Sequence, residues 1–312
     1  MGRPQEAVRL RHGSGSRNGR RRARRTRQQT SRTTGSVRHL SLTPGPASRR
    51  SPHGAAVHYN RLRSNRLTED QNEDEEQTQK SGGRPPGVFD EAFLTGVEGV
   101  TEVLLIRHAQ QQWDPQGVAA DWVDPPLSDH GRQQARLLVQ ALSTLRIDAI
   151  FASPLKRAVE TAEAVAAQHE LGIEYVKDLR EVEVFRDVPP DQTVREFFGD
   201  DLLMAVRQRM INERNWDVYP HSESSYDFKK RAINAIESAV ARNLGERIAI
   251  VCHGGVINAY TGHIIGTPYD MFFRPAHTSV NIVAVATGGR RVLRLLNDIH
   301  HLQTAEGDFL TY

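Results

Sequence analysis

Apolar and polar residues follow two periods along residues 93–312 and almost none before them. Val103-Leu104-Leu105-Ile106 and Ile248-Ala249-Ile250-Val251 are unbroken apolar runs of strand length, the pattern of strands buried on both faces of a parallel sheet. Ala149-Ile150-Phe151-Ala152 and Ile173-Glu174-Tyr175-Val176 predict two more strands. Val280–Val285 and Arg291–Leu296 predict a closing pair across the Gly288-Gly289 turn. Between them the period changes to that of a helix. Ala135, Leu138, Val139 and Leu142 repeat at i, i+3, i+4 and i+7 behind Ser128 as N-cap. A second stripe holds Leu155, Ala158, Val159, Ala162, Val165 and Ala166, and a third, after Ser222-Glu223-Ser224, holds Phe228, Ala232, Ala235, Ile236 and Ala239. Thr193-Val194-Arg195-Glu196 is a capping box opening a helix that presents Val194, Phe198 and Leu202. Residues 110–124 predict a loop. Strands alternating with helices predict an α/β fold: three layers, α/β/α, around a mostly parallel central sheet.

Residues 1–92 carry no such pattern, being rich in Arg, Ser, Gly, Thr and Gln. They cannot bury enough apolar surface to offset the entropy of ordering, so they predict a disordered tail before a folded domain over 93–312. No acidic residue lies between Glu6 and Glu69, and six arginines crowd into Arg20–Arg27, so this stretch carries roughly +16 and the remainder is acidic. The sequence pI near 9.1 therefore describes the tail. Such a run can touch polyanions weakly and non-specifically through phosphate charge, but Tyr59 alone supplies an aromatic ring before Phe89, so no stacking platform for single strands exists. A solvated arm and an Arg- and Ser-rich organelle transit peptide are the other readings of it. An acidic patch, Glu69–Glu76, and a linker, Gly82-Gly83-Arg84-Pro85-Pro86-Gly87, follow. No apolar signal core follows Met1 and no run reaches the ~20 apolar residues of a membrane span. A lone cysteine, Cys252, excludes an internal disulfide and fits a reducing compartment, the cytoplasm.

The chemistry gathers at strand ends. The first apolar run ends in Arg107-His108, the one at Ile248–Val251 leads through Cys252 into His253-Gly254-Gly255, and the one between them ends in Ser153-Pro154 with Arg157 in the next helical turn. In parallel sheets such ends share an edge, and helix N-termini after Ser153 and His253 would add backbone N–H groups, so the convergence points to a phosphoryl ligand. The loop after His108 lies over that edge and brings Gln111 to it as a substrate contact, together with Gly254 at the later helix start. Cys252 lacks the arginine six positions on that a cysteine phosphatase requires; Asn258 stands there, so it reads as a small buried residue. His300-His301 point apart with no third ligand nearby and read as surface residues. Arg207, Arg209 and Arg214 read as a charged solvent face. No metal site and no cofactor is expected.

Four segments in order, Arg107-His108-Ala109, Asp124–Ala135, Ser153–Ala162 and Val251–Gly255, resemble the histidine phosphatase superfamily, in the branch that also holds the cofactor-dependent phosphoglycerate mutases. The resemblance spans roughly residues 100 to 300. It implies that His108 is the nucleophile forming a phosphohistidine, that Arg107, Arg157 and His253 hold the phosphoryl oxygens, and that Glu181 moves the proton, with Glu183 as its competitor. Departures are Ala109 where the family has Gly, Asp114 where it commonly has Asn, and Arg186-Asp187-Val188-Pro189-Pro190 in place of a segment rich in aromatic residues and glycine. No phosphate-binding role is assigned to Asp114. The leading expectation is a phosphatase of small phosphorylated metabolites. The alternatives are a phosphoglycerate mutase, disfavoured by the compact interval between Glu181 and His253, and a non-catalytic phospholigand-binding protein, disfavoured by the intact set of five residues.

Overall fold

The computed structural model describes residues 86–304 and 307–312. The expectations for the Arg-rich tail, the acidic patch and most of the linker therefore lie outside the described residues. In chain order the elements are α1 (Val88–Phe93), β1 (Thr101–Arg107), α2 (Ala119–Val123), α3 (Asp129–Leu142), β2 (Ala149–Ala152), α4 (Lys156–His169) and β3 (Ile173–Tyr175). They continue with α5 (Val194–Glu213), α6 (Ser225–Arg242), β4 (Arg247–Cys252), α7 (Gly254–Ile265), β5 (Val280–Val285) and β6 (Arg291–Asp298), and a two-residue ribbon, Gln303–Thr304 with Gly307–Asp308, near the end. Among the described residues no helix is long and apolar enough to cross a membrane.

Six strands form one sheet in the order β3-β2-β4-β1-β5-β6. β1 lies beside β4 in parallel and beside β5 antiparallel, and β2 is parallel to both β3 and β4. The continuous apolar run in β1 has a direct cause. Val103 and Leu105 face one layer with α6 and α7, while Leu104 and Ile106 face the other with α3 and α4, and all four are fully buried. A side chain so enclosed contributes about 1.5–3 kcal/mol, which makes β1 the centre of both cores. The small residues of α4, Ala158, Ala162 and Ala166, bring that helix close to the sheet, and Phe228 and Ile236 fill the opposite side beneath α6.

Strand register sets up the site. Ile106 of β1 and Ala152 of β2 both pair with Val251 of β4, so the three strands end on one rung. Beyond that rung the chain leaves the sheet at His108, Ser153 and His253. The His108 N–H donates to the Cys252 carbonyl at 2.9 Å and the Ser153 N–H to Val251 at 3.0 Å, which holds the three exits together.

Local signals account for the helix starts. Ser128 accepts the Gly131 N–H at the start of α3, Ser224 accepts Asp227 at α6, and Thr193 and Glu196 form the reciprocal box at α5. Three expectations need correction. The loop 110–124 contains a helix, α2, because the Asp121 carboxylate accepts the Val118 N–H and stabilises its first turn. Helix α5 kinks at Gly199 (φ 75°), which rotates the stripe beyond it, so Leu202 is exposed while Leu203 is half-buried and Val206 buried. His301 is half-buried with Nε2 3.0 Å from the Thr278 hydroxyl, so only His300 is a surface residue. The arginines of α5 keep their solvent face, with Arg209 paired to Glu213 across one turn. A further correction concerns residues 88–92, expected to be disordered: they lie in α1, just after the Gly82–Gly87 linker, with Asp90 accepting the Gly87 N–H and Leu94 buried behind it.

Candidate active site

His108 leaves β1 with its ring buried, 5.0 Å from His253 and 5.6 Å from His277 between ring centroids. Its Nδ1 lies 2.7 Å from the carbonyl oxygen of Ala109. A carbonyl only accepts, so Nδ1 carries the proton and Nε2 keeps its lone pair. Ala109 serves this purpose through its backbone, whose N–H is in turn held by Thr161 at 3.0 Å.

The second histidine has the opposite polarity. Ser153 Oγ is fully buried, accepts the Leu155 N–H at 3.3 Å and lies 2.8 Å from His253 Nε2; since a buried hydroxyl proton needs an acceptor and Nε2 is the one within reach among the described residues, the hydroxyl donates to Nε2. His253 Nδ1 is then an N–H, buried and without a partner. His277 lies at the other side. Gln134 Oε1 accepts the Gln110 N–H at 2.9 Å, which turns its amide nitrogen to the C-terminal segment, where it donates to the Phe309 carbonyl (2.7 Å) and the Thr311 hydroxyl (2.8 Å). That hydroxyl lies 2.8 Å from His277 Nδ1, and His277 Nε2 is buried without a partner among the described residues.

Arg107 and Arg157 complete the cluster. One guanidinium nitrogen of Arg107 is fixed on the Pro275 carbonyl at 2.5 Å and one of Arg157 on Val123 at 3.4 Å, while the Nε of each is buried without a partner. Three unpartnered N–H donors beside one imidazole lone pair, on Arg107, Arg157 and His253, are costly to keep buried unless an anion meets them. The charges act accordingly. Burial, then Arg157 and the neighbouring rings, pushes His108 well below the ordinary imidazole value. Burial followed by both arginines does the same to His253, and burial with Arg107 and Arg274 pushes His277 down to about 2. Burial brings Arg107 down to about 10, which leaves it charged at neutral pH.

Glu181 sits at the start of α7. Its carboxylate accepts the Gly255 N–H at 3.0 Å and the Val182 N–H at 3.1 Å, and its charge couples to both Arg107 and Arg157. Gly255 is required there, since a Cβ would lie 2.2 Å from Glu181 Oε1. Glu183 is in an ion pair with Arg180 at 3.0 Å. The backbone carrying Glu181 is clamped by Arg231, which donates to the carbonyls of Asp178, Arg180 and Glu181 at 2.8, 2.7 and 3.0 Å while its charge is met by Glu223.

Among the expected site residues, Arg107, His108, Arg157, Glu181, His253 and Gly254 come together. The place of a Cβ on Gly254 is 3.8 Å from Arg107 Nε, so the helix start and the guanidinium are in contact. Gln111 is half-buried on the loop, bridged to Leu127, with its Oε1 buried and unpartnered. An amide flip would present a donor at that position instead. Asp114 turns into its own loop, where it accepts the Gln116 N–H at 2.9 Å, and is exposed. The expected contribution of the α4 N-terminus needs correction: its first N–H groups are taken by Ser153 and by Asp124, the latter at 2.6 Å from the Lys156 nitrogen. Cys252 is buried, and desolvation pushes its thiol far up. Sequence reasoning missed His277 and Arg231. For His277 a signal existed, since an antiparallel strand starts where its parallel neighbour ends; Arg231 sits on a helix among other charges and carries none.

Three imidazoles held neutral make the fold acid-labile. The unfolded chain binds protons at each of them below pH ~6.5 while the folded chain does not, so stability rises with pH in that range and is lost as pH falls. Full protonation of three sites costs about 4 kcal/mol per pH unit. Urea midpoints should therefore drop steeply between pH 6 and 5, and millimolar orthovanadate or phosphate should reduce the slope by meeting the charge. A midpoint that is flat over this range would show that these rings are protonated in the native state.

Residues 103–298 match the sequence model of the histidine phosphatase superfamily, branch 1. The chain is 27% identical over 210 residues to Phosphoserine phosphatase 1 of Hydrogenobacter thermophilus, covering 65% of this chain and 95% of that protein. It is 28% identical over 205 residues to Phosphoglycerate mutase-like protein 4 of Arabidopsis thaliana, covering 65% and 87%. Among solved structures, YhfR of Bacillus stearothermophilus superposes with a TM-score of 0.56 at 30% identity, covering 65% of this chain and all of that one.

Proposed function

Because the chain belongs to the histidine phosphatase superfamily, we propose that it hydrolyses phosphomonoesters through a phosphohistidine on His108. The observation that carries the reading is one imidazole lone pair, on His108 Nε2, beside the unpaired N–H donors of His253, Arg107 and Arg157. A phosphate dianion satisfies those donors and brings its phosphorus to the lone pair. Donors aimed at non-bridging oxygens before the reaction begins need no reorganisation as charge shifts, which is the main source of stabilisation for phosphoryl transfer.

In this scheme His108 Nε2 forms a bond to phosphorus as the ester P–O bond breaks, and protonated Glu181 gives its proton to the departing alkoxide. The carboxylate then takes a proton from water, whose oxygen attacks phosphorus as the N–P bond breaks, so that alcohol and inorganic phosphate leave and the enzyme returns unchanged. Arg231 acts on this step only by position, through the backbone that carries Glu181. The fixed arginines supply the positive charge that a metal supplies in other phosphatases. The single thiol of the sequence, Cys252, supports a reducing, cytoplasmic setting. Of the chain, residues 93–312 carry the activity in this reading.

The test is phosphate release from a panel of phosphate esters, with isomerisation of phosphoglycerate followed in the same samples. Release should continue in excess chelator, and vanadate, which takes five-coordinate geometry on a histidine, should inhibit. Isomerisation outpacing release would assign a mutase, and a rate lost to chelator and restored by magnesium would overturn the role of the arginines.

A further inference from the structure

Arg157 and Glu181 also form part of the wall of a cleft of about 390 Å³, a volume within the range of small-molecule sites. Arg180, Glu183 and Arg186 line it as well, and the remainder of its wall, from α2, the entry to α4, the segment after Glu181 and the start of α5, is apolar, with Trp122, Val123 and Leu155 among it. A phosphoryl group held by Arg157 with its leaving oxygen at Glu181 directs the remainder of the ester into this cleft. Resting on the hydrolase reading above, we propose that the preferred substrate is a monoester whose alcohol is extended and apolar, in place of an amino acid or glyceric acid.

Phosphoserine and phosphoglycerate carry a carboxylate close to the ester oxygen. Their recognition needs a free cation in the cleft, and besides Arg157 the cations that line it are Arg180 and Arg186. Arg180 is neutralised by Glu183 at 3.0 Å. Arg186 is exposed and donates to the Ser222 carbonyl at 2.7 Å; a carboxylate meeting it in water would gain little. Two further observations favour an apolar occupant. Val123 at the wall is 68% exposed, and Trp122, also in the wall, stacks on the exposed Trp113 at 4.9 Å, so apolar surface is left open to water where a substrate would cover it. Phe185 holds a left-handed backbone conformation (φ 57°), strained for an aromatic residue, with its ring packed on Phe198 and Tyr219. Strain of that kind persists at sites where a side chain is held for a ligand.

Straight-chain alkyl phosphates from ethyl to octyl test this, because the leaving alkoxide is nearly constant along the series while apolar length changes. For the full chain, kcat/KM should rise about three- to fourfold per methylene until the cleft is filled, on the order of 10²-fold from ethyl to hexyl. Hexyl phosphate should exceed phosphoserine and 3-phosphoglycerate. Val123→Asp should lower the hexyl-to-ethyl ratio by about tenfold, and since misfolding lowers both rates equally, the ratio reads the cleft alone. A ratio near one in the native chain, or phosphoserine outpacing hexyl phosphate, overturns the apolar assignment and leaves the hydrolase reading intact. No release from any ester overturns both.

Discussion

Replacing His108 by alanine is expected to lower turnover by on the order of 10⁴-fold or more, the scale on which loss of a covalent nucleophile acts. The substitution removes the imidazole lone pair that lies beside the unpaired donors of His253, Arg107 and Arg157. His253 does not replace it, since its Nε2 receives the Ser153 proton and its Nδ1 is an N–H. Cys252 is buried with its thiol held protonated. Rapid quenching with labelled ester should trap label on the native chain that survives alkali and is lost in acid, and the alanine variant should trap none. Acid-stable label, as on a serine, would rule out the histidine. Stability separates a chemical loss from a structural one. Deleting a ring that is buried neutral removes part of the acid lability, so the variant should hold its urea midpoint better than the native chain as pH falls from 6 to 5.

Glu181→Gln should slow reaction of alkyl phosphates by about 10²–10⁴-fold at the step that forms the phosphoenzyme, and that of p-nitrophenyl phosphate far less. An alkoxide needs its proton during bond cleavage, whereas a nitrophenolate departs without one. The second step still needs a base, so on the activated ester the variant should accumulate phosphoenzyme and show a burst of nitrophenolate. Glu183→Gln should do neither, since that carboxylate is committed to Arg180. Gly255→Ala is an independent route to the same result. Its Cβ would lie 2.2 Å from Glu181 Oε1, and the side chain must move off the helix start to admit it. The alanine variant should reproduce the leaving-group dependence while the carboxylate is chemically intact. If Glu183→Gln shows the dependence and Glu181→Gln does not, the proton-moving group is two residues further on.

Much of the architecture could be read before any coordinates because burial leaves a periodic trace. Val103–Ile106 lies in both cores, so every position must be apolar, and the run says strand and parallel at once. The stripes of α3, α4 and α6 face one layer each, and α3 and α6 start at serines that cap N–H groups locally. Where the reading failed, a single backbone event intervened. Gly199 breaks the period of α5, and residues beyond it are displaced around the helix, a change that spacing alone cannot register. Helix α2 has only five residues, too few for a period to show.

The linear order of residues by itself determined which groups would be available: Arg107 and His108 after one buried strand, His253 and Gly254 after another, Arg157 one turn into the helix between. Strand ends of a parallel sheet must lie on one edge, so their convergence follows from pattern alone. What each ring does there was decided only in three dimensions. A protonation pattern depends on the partner of each nitrogen, and those partners come from far along the chain: Ser153 for His253, Thr311 through Gln134 for His277, with Ala109 alone being local to His108. The place of Glu181 at the helix start was set in the same way, by the Arg231 clamp and the absence of a Cβ at Gly255, neither of which adjoins it in sequence. Hydrogen-bond direction falls off within about 3 Å, so it is set by whichever atoms the fold brings that close, and sequence separation carries no information about it.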